Sequence, residues 1–115
     1  MKINIIFNNS DYFISDLSLI IEWNIPILPR VGESINSWLI INQEGFSTDL
    51  FFNALTDTAK NDFLTFTRKS DNNFDSSFKA WIGDILNSYL VRDVKYIPSE
   101  TNSINVLPQI HMDDE

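Results

Sequence analysis

The sequence has no cysteine and only three glycines in 115 residues. The absence of cysteine excludes disulfides, cysteine nucleophiles and thiolate metal sites, and it suits a reducing compartment. Three scattered glycines cannot form a glycine-rich phosphate loop. No apolar run approaches the roughly 20 residues that cross a bilayer, and the first residues, MKIN, do not resemble a signal peptide. We therefore expect a cytoplasmic protein that does not bind membranes.

Positive charge is also scarce: 8 lysines and arginines face 16 aspartates and glutamates, for a net charge of −8. Such a chain repels phosphate backbones, so we expect no nucleic-acid binding and favour a protein partner with a basic surface. Three of the negative charges, Asp113, Asp114 and Glu115, end the chain, and we interpret residues 112–115 as an acidic tail. Residues 1–111 then form one domain, since 43% hydrophobic residues suffice for one core.

Apolar and polar residues alternate over residues 2–8 and 17–25, which predicts two neighbouring strands. Pro26 and Pro29 end the second strand because they fix φ and remove backbone donors. Gly32 then supplies a turn, and residues 34–42 read as a third strand with apolar residues on both faces. We expect the second and third strands to be antiparallel neighbours.

The middle of the chain changes to helical spacing. Residues 47–60 predict a helix capped by Ser47, and residues 61–68 fit either more helix or a short strand. A loop is expected over residues 69–75. Residues 75–88 predict a second helix, although Gly83 within it costs about 1 kcal/mol relative to alanine.

The C-terminal part predicts a hairpin of residues 90–97 and 103–110. Pro108 cannot donate to a ladder, so the last strand should lie at an edge or end there. From His111 onward we expect a frayed tail.

Two segments resemble parts of small SH3-like β-barrels. The sequence PRVGESI (residues 29–35) is similar to the turn that opens a strand in such barrels, and the hairpin from residue 90 resembles a closing hairpin. Similar pairings occur in small uncharacterised bacterial proteins. The resemblance covers about a third of the chain and implies binding of peptides, proteins or nucleic acids, with no catalytic residue. About 45 largely helical residues separate the two segments, where a minimal barrel has short turns.

The expected fold is therefore α+β. It contains an antiparallel sheet of about five strands, which can close partly into an SH3-like barrel, and two inserted helical segments.

One pattern resembles an enzyme site. Asp93-Val94-Lys95 on a strand, with Asp84 upstream, is similar to a metal-dependent nuclease core, in which acids hold Mg²⁺ beside an attacking water. However, Asp84 falls on a predicted helix, the usual Pro-Asp pair is missing, and the charge repels DNA. We favour a solvated strand face, and we interpret His111 as a solvated tail residue rather than a catalytic or metal-binding one.

Other carboxylates pair along the sequence, namely Asp57 with Asp62 and Asp71 with Asp75. They lie in polar surroundings that do not suit acid–base work, and the second pair lacks the glycine and glutamate of a calcium loop. We therefore predict no catalytic residue, no metal, no cofactor and no enzymatic activity.

The three tryptophans are the remaining candidates. Trp23 shares the apolar face of its strand and is expected in the core, whereas Trp38 faces away from Ile35, Leu39 and Ile41, and Trp81 flanks a helical stripe. Burial between the helices and the sheet is the more frequent state of tryptophan. The alternative is an anchor for a partner, because exposed aromatic side chains mark interfaces. The candidate partner-binding residues are therefore Trp38, Trp81, Glu33 and Glu44.

These residues favour a non-enzymatic protein-binding or assembly module. The alternative is an acidic inhibitor or immunity-type protein that covers a basic partner, and a metal-dependent nuclease comes third. The sequence does not predict an oligomeric state.

Overall fold

The computed structural model of the protein describes residues 1–8, 11–68, 74–99 and 102–114. Within these ranges the chain forms eight elements, in the order β1 (Lys2–Phe7), β2 (Leu17–Glu22), α1 (Trp38–Ile41), α2 (Thr48–Ala54), α3 (Asp57–Arg68), α4 (Phe74–Asn87), β3 (Leu90–Ser99) and β4 (Asn102–Asp113).

The described strands form one open sheet with the order β2-β1-β4-β3. β1 runs antiparallel to β2 and parallel to β4, and β3 is antiparallel to β4. The α+β class predicted from the sequence is therefore confirmed. The sheet has four strands in the described part of the chain, is mixed rather than antiparallel, and does not close into a barrel.

The predicted third strand is wrong, because the chain forms the short helix α1 there. Adjacent Ile40 and Ile41 are both buried, whereas Trp38 and Leu39 are both exposed. A strand would alternate these neighbours between two faces, but a helix can bury two consecutive residues. The expected pairing of the second and third strands is therefore wrong as well.

Residues 47–60 are helical as predicted, but the helix is interrupted at Leu55 and Thr56. The segment after β1 causes the break, because Thr56 N donates to the carbonyl of Tyr12 at 2.8 Å, and Ile14 N donates to the carbonyl of Ala54 at 2.9 Å. The Thr56 hydroxyl then accepts from Ala59 N at 3.2 Å and starts α3. The ambiguous residues 61–68 belong to this helix.

The predicted helix over 75–88 is confirmed as α4. Gly83 lets α1 approach, because a Cβ there would lie 3.1 Å from Ile41 Cδ1 and 3.3 Å from Ser37 Oγ. The cost of glycine in the helix is thus offset by close packing between two helices.

The predicted C-terminal hairpin is confirmed as β3 and β4. The expectation that this strand lies at an edge or ends at Pro108 is wrong, because β4 lies between β1 and β3 and continues to Asp113. Pro108 is tolerated because it lies just before the stretch of β4 that pairs with β1, where β4 has a partner on one side only. The frayed end expected from His111 is wrong, because β4 continues to Asp113 and Met112 is fully buried.

The core lies between one face of the sheet and the helices. On the helical side of this core, Phe63 and Phe78 belong to what we call the phenylalanine cluster. Its rings lie 5.1 to 6.1 Å apart and come from Phe52, Phe63, Phe74, Phe78 and Trp81. Most of the loop predicted at 69–75, including Asp71, lies outside the described residues.

Candidate functional site

Residues 25–31, which we call the corner, connect β2 to the segment before α1. Trp23 Nε1 donates to the carbonyl of Ile27 at 3.1 Å and ties the start of the corner to the core. Pro26 and Pro29 restrict φ within it, and Pro29 is buried. The corner is therefore held in one conformation by covalent and hydrogen-bonded constraints.

The far end of the corner is anchored to β3. Gly32 has φ +90°, in the left-handed region where glycine is favoured. This geometry lets Gly32 N donate to the carbonyl of Val91 at 2.8 Å, while Val91 N donates to the carbonyl of Glu33 at 2.8 Å. The predicted turn at Gly32 thus exists, but it leads to the edge of β3 rather than into a neighbouring strand of β2.

Apolar side chains on and beside the corner are largely exposed. The exposed fractions are 45% for Ile25, 70% for Ile27, 64% for Val31, 61% for Tyr96 and 60% for Met1. A group of exposed apolar side chains of this size is typical of a surface that meets another molecule.

Two hollows flank the corner. The first has a volume of about 630 Å³ and is lined by Met1, residues 26–31, Val94 and Tyr96. The second, of about 290 Å³, reaches from Trp23 and Ile25 to Glu33 and Leu39. Residues 27–30 line both hollows and so form the ridge between them.

The charged side chains on the corner pair with each other. Glu33 Oε1 accepts from the backbone N of Arg30 at 2.6 Å and lies 3.6 Å from Arg30 Nε. Both side chains are exposed to solvent, so this ion pair adds little stability. The pair leaves the ridge close to neutral, so the exposed surface around the ridge is apolar rather than acidic.

The four candidate residues from the sequence do not form one site. Glu33 lines the second hollow. Trp38 is 59% exposed, which is the alternative under which it could contact a partner, and it precedes Leu39, which lines that same hollow. Its exposure comes from a helix, however, and not from the strand parity on which the prediction rested.

The other two candidates lie elsewhere. Trp81 is half-buried, with its ring 5.4 Å from Phe63 and 6.0 Å from Phe78, so it belongs to the phenylalanine cluster. Glu44 is exposed and lines a different hollow, together with Glu22 and Ile20 of β2. The structure brings neither residue to the corner.

Sequence reasoning missed Ile27, Val31 and Tyr96. The alternation over residues 17–25 placed Ile25 on the buried face of the second strand, but β2 ends at Glu22. The two prolines correctly excluded a strand beyond Ile25, but they carry no signal that Ile27 and Val31 would be exposed together.

The enzyme-like pattern forms an ordinary surface pair. Lys95 Nζ lies 3.7 Å from Asp93 Oδ2, and both side chains are about half exposed. His111 faces Asp93 across the β3–β4 ladder, and its Nε2 lies 3.2 Å from Gln109 Oε1. Among the residues that the structure describes, no group of three or more histidine, aspartate or glutamate side chains could hold a metal.

One other carboxylate has a defined structural partner. The Thr48 hydroxyl donates to Asp75 Oδ1 at 2.6 Å, and Lys79 Nζ lies 3.3 Å from Asp75 Oδ2. These contacts lower the pKa of Asp75 below its usual value of 3.8, and the hydrogen bond from Thr48 has the larger effect. Asp75 thus links α2 to α4, which suits a structural rather than a catalytic role.

The chain matches no known protein family, no curated protein and no solved structure. None of its described helices is both long and apolar enough to cross a membrane.

Proposed function

We propose that the protein is a non-enzymatic binding or assembly module that contacts a protein partner through the corner. The observation that carries this proposal is the set of apolar side chains around two adjoining hollows, with Ile27 70% exposed on the ridge between them. Aliphatic and aromatic anchors of this kind supply most of the binding free energy in protein interfaces.

The rigidity of the corner supports the same proposal. Its start is tied through Trp23 and its end through Gly32 and Val91, and two prolines restrict the backbone between them. A surface that is already ordered loses less conformational entropy when it binds. Burial of Ile27 and Val31 by a partner would therefore add to the binding free energy without the cost of first ordering a loop.

Trp38 and Glu33 fit at the rim of this surface, because Leu39 and Glu33 line the second hollow. The net charge of −8 would steer a basic partner toward the protein. The ridge itself carries only the Arg30–Glu33 pair, so we assign affinity to apolar contacts and association rate to charge. We do not assign Trp81 and Glu44 to this surface.

The inhibitor alternative requires a dense cluster of acids on one face. Among the described residues, Asp11 and Asp113 lie close enough to Asp114 to raise its pKa, whereas other exposed acids, such as Glu22 and Asp84, lie on separate elements. We favour the corner because it combines exposed apolar side chains with two adjoining hollows.

The proposal is tested by Ile27→Asp, with Ile14→Asp as the matched control. Ile14 is 65% exposed and lines neither of the two hollows. Affinity capture from source-cell extract, with quantitative mass spectrometry, should recover a partner with the wild type and Ile14→Asp but lose it with Ile27→Asp.

The recovered partner is then purified and titrated against the three proteins. We expect Ile27→Asp to weaken binding at least about 30-fold, since loss of an anchor costs 2 kcal/mol or more. Equal affinities for the wild type and Ile27→Asp, or a loss with Ile14→Asp alone, would contradict the proposal.

A further inference from the structure

β2 forms an outer edge of the sheet. Because its residues alternate between bonding to β1 and pointing away from it, the bonds to β1 show which backbone groups face outward. Met1 and Trp23 exchange two backbone hydrogen bonds, of 3.2 and 2.7 Å. Because antiparallel pairs alternate, the next pair inward, Lys2 and Glu22, is not hydrogen-bonded. The N–H and C=O groups of Ser18, Ile20 and Glu22 therefore point away from β1.

One of these three residues already has a partner. Gln43 Oε1 accepts from Glu22 N at 3.2 Å, and Gln43 Nε2 donates to the carbonyl of Glu22 at 3.4 Å. A side-chain amide has one acceptor and one donor arranged like those of a strand residue. Gln43 therefore occupies the place that a neighbouring strand would take at Glu22.

The other two outward-facing residues, Ser18 and Ile20, have no such partner in the part of the chain that the structure describes. Beside them lies a hollow of about 530 Å³, lined by Lys2, Ile20, Ile21, Glu22, Gln43, Glu44 and Gly45. The Ile20 side chain is 52% exposed. The edge thus offers two free donors and two free acceptors next to an exposed apolar side chain.

We propose that this edge binds an extended, basic segment of another protein, which adds to the sheet as a further strand next to β2. Main-chain hydrogen bonds to Ser18 and Ile20 hold the segment, as in other cases of strand addition. A β-branched residue of the segment packs on Ile20, and its basic residues face Glu44, because the Glu22 carboxylate already lies 3.6 Å from the N-terminal ammonium group. This surface is separate from the corner and does not depend on the function proposed for it.

A second copy of the chain fits the edge poorly. An antiparallel pairing that uses both free residues must be centred on Leu19, so that Ser18 of each copy bonds Ile20 of the other. That register places Glu22 opposite Asp16 at both ends, and like charges directly opposite each other are destabilising. The net charge of −8 on each copy adds to this repulsion.

The first test uses a capped hexapeptide of alternating lysine and valine, KVKVKV, titrated into the full chain by calorimetry and NMR. We expect it to bind, and to protect the amides of Ser18 and Ile20 from exchange, while both exchange freely in the unbound protein. The same peptide with alternate backbone nitrogens methylated keeps its charge but loses ladder donors. It should bind at least about tenfold more weakly, because several hydrogen bonds are lost together.

The second test uses one substitution that should weaken peptide binding at the edge and one that should strengthen it. Ser18→Pro removes a donor that faces away from β1, so the sheet keeps its own bonds, and we expect affinity for KVKVKV to fall about tenfold or more. Gln43→Ala frees the backbone of Glu22 and lengthens the open edge by one residue. It should tighten binding several-fold, whereas Asn42→Ala, the adjacent exposed control, should leave affinity unchanged.

Some results would overturn the proposal. The proposal is wrong if KVKVKV does not bind the wild type, if the methylated peptide binds equally well, or if the peptide does not protect the amides of Ser18 and Ile20. A concentration-dependent dimer that Ser18→Pro abolishes would show that the edge accepts a second copy instead. The amide measurements on the wild type decide the matter even if Ser18→Pro does not fold.

Discussion

The phenylalanine cluster and the corner are both apolar, yet the centre of the cluster is sealed and the corner is open. Phe63 and Phe78 at that centre have no exposed surface, although Phe74 at its rim is 43% exposed. On the corner, Ile27 is 70% and Val31 64% exposed. The difference follows from local backbone geometry. Helices α2, α3 and α4 each place apolar side chains along one face, and neighbouring helices cover that face. A proline-containing turn has no such regular face for another element to cover.

The comparison also shows that apolar content alone does not locate the core. Trp38 and Trp81 are both tryptophans on helices that contact each other, α1 and α4. Trp81 faces the cluster and is half-buried, while Trp38 faces solvent with 59% of its surface exposed. Position on the helix, and not residue type, separates the half-buried tryptophan from the exposed one.

The largest expected contrast is between Phe63→Ala and Ile27→Ala. Phe63 is fully buried among four rings of the cluster, so its truncation should cost about 3–5 kcal/mol of unfolding free energy. Ile27→Ala should change it by less than about 0.5 kcal/mol. Urea denaturation of both variants tests this, and similar losses in the two would remove the distinction between sealed and open regions.

The next contrast concerns how the corner is held. Trp23→Phe removes the hydrogen bond to the carbonyl of Ile27 and part of a buried side chain, so we expect a loss of about 2–3 kcal/mol. Trp38→Phe has no comparable buried contact and should leave the Tm nearly unchanged. Thermal denaturation measures both, and a large drop for Trp38→Phe would show that Trp38 is part of the core.

A smaller effect is expected at the far end of the corner. Gly32 has φ +90° with free space around it, so Gly32→Ala should cost about 1–2 kcal/mol through backbone strain alone. Gly45 has equal free space and no positive φ, and Gly45→Ala should be neutral or slightly stabilising. If both changes are neutral, Gly32 is not needed for the turn.

The smallest effects are electrostatic and depend on pH. The lowered pKa of Asp75 means that its ionised form stabilises the fold at pH values above 3.8, and this contribution disappears as the pH falls through its folded pKa. Asp75→Asn should therefore lower the Tm at neutral pH, with a difference that shrinks in acid. A constant difference across pH would contradict this link between α2 and α4.

Asp114 should behave in the opposite sense. The pKa of Asp114 is raised above 3.8. Burial is the largest cause, and the neighbouring Asp113 and the charge of Asp11 add to it. A raised pKa gives stability that is present below 3.8 and lost as the pH rises through the folded value. Asp114→Asn should raise the Tm slightly at neutral pH and not below 3.8, and a decrease at neutral pH would show that the carboxylate is needed.

Much of the secondary structure follows from sequence periodicity. The alternation in β1 and β2, the stripe of α4 and the C-terminal hairpin all appear where the sequence predicted them. The candidate site was harder to predict from the sequence. The sequence left open whether Trp38 is buried or exposed, and Ile27 and Tyr96 became candidates only once the end of β2 and the path of β3 were known.

The sequence by itself determined the α+β class, the strand and helix periods, the turn at Gly32 and the acidic charge, because each depends on local chemistry. Only the tertiary structure decided that residues 38–41 form a helix, since the strand preference of Ile40 and Ile41 is outweighed by their joint burial near α4 at Gly83. It also decided that β4 inserts between β1 and β3, with β1 as a parallel neighbour. Pairing between the two ends of a chain depends on the shape of the whole core, and no local pattern encodes it.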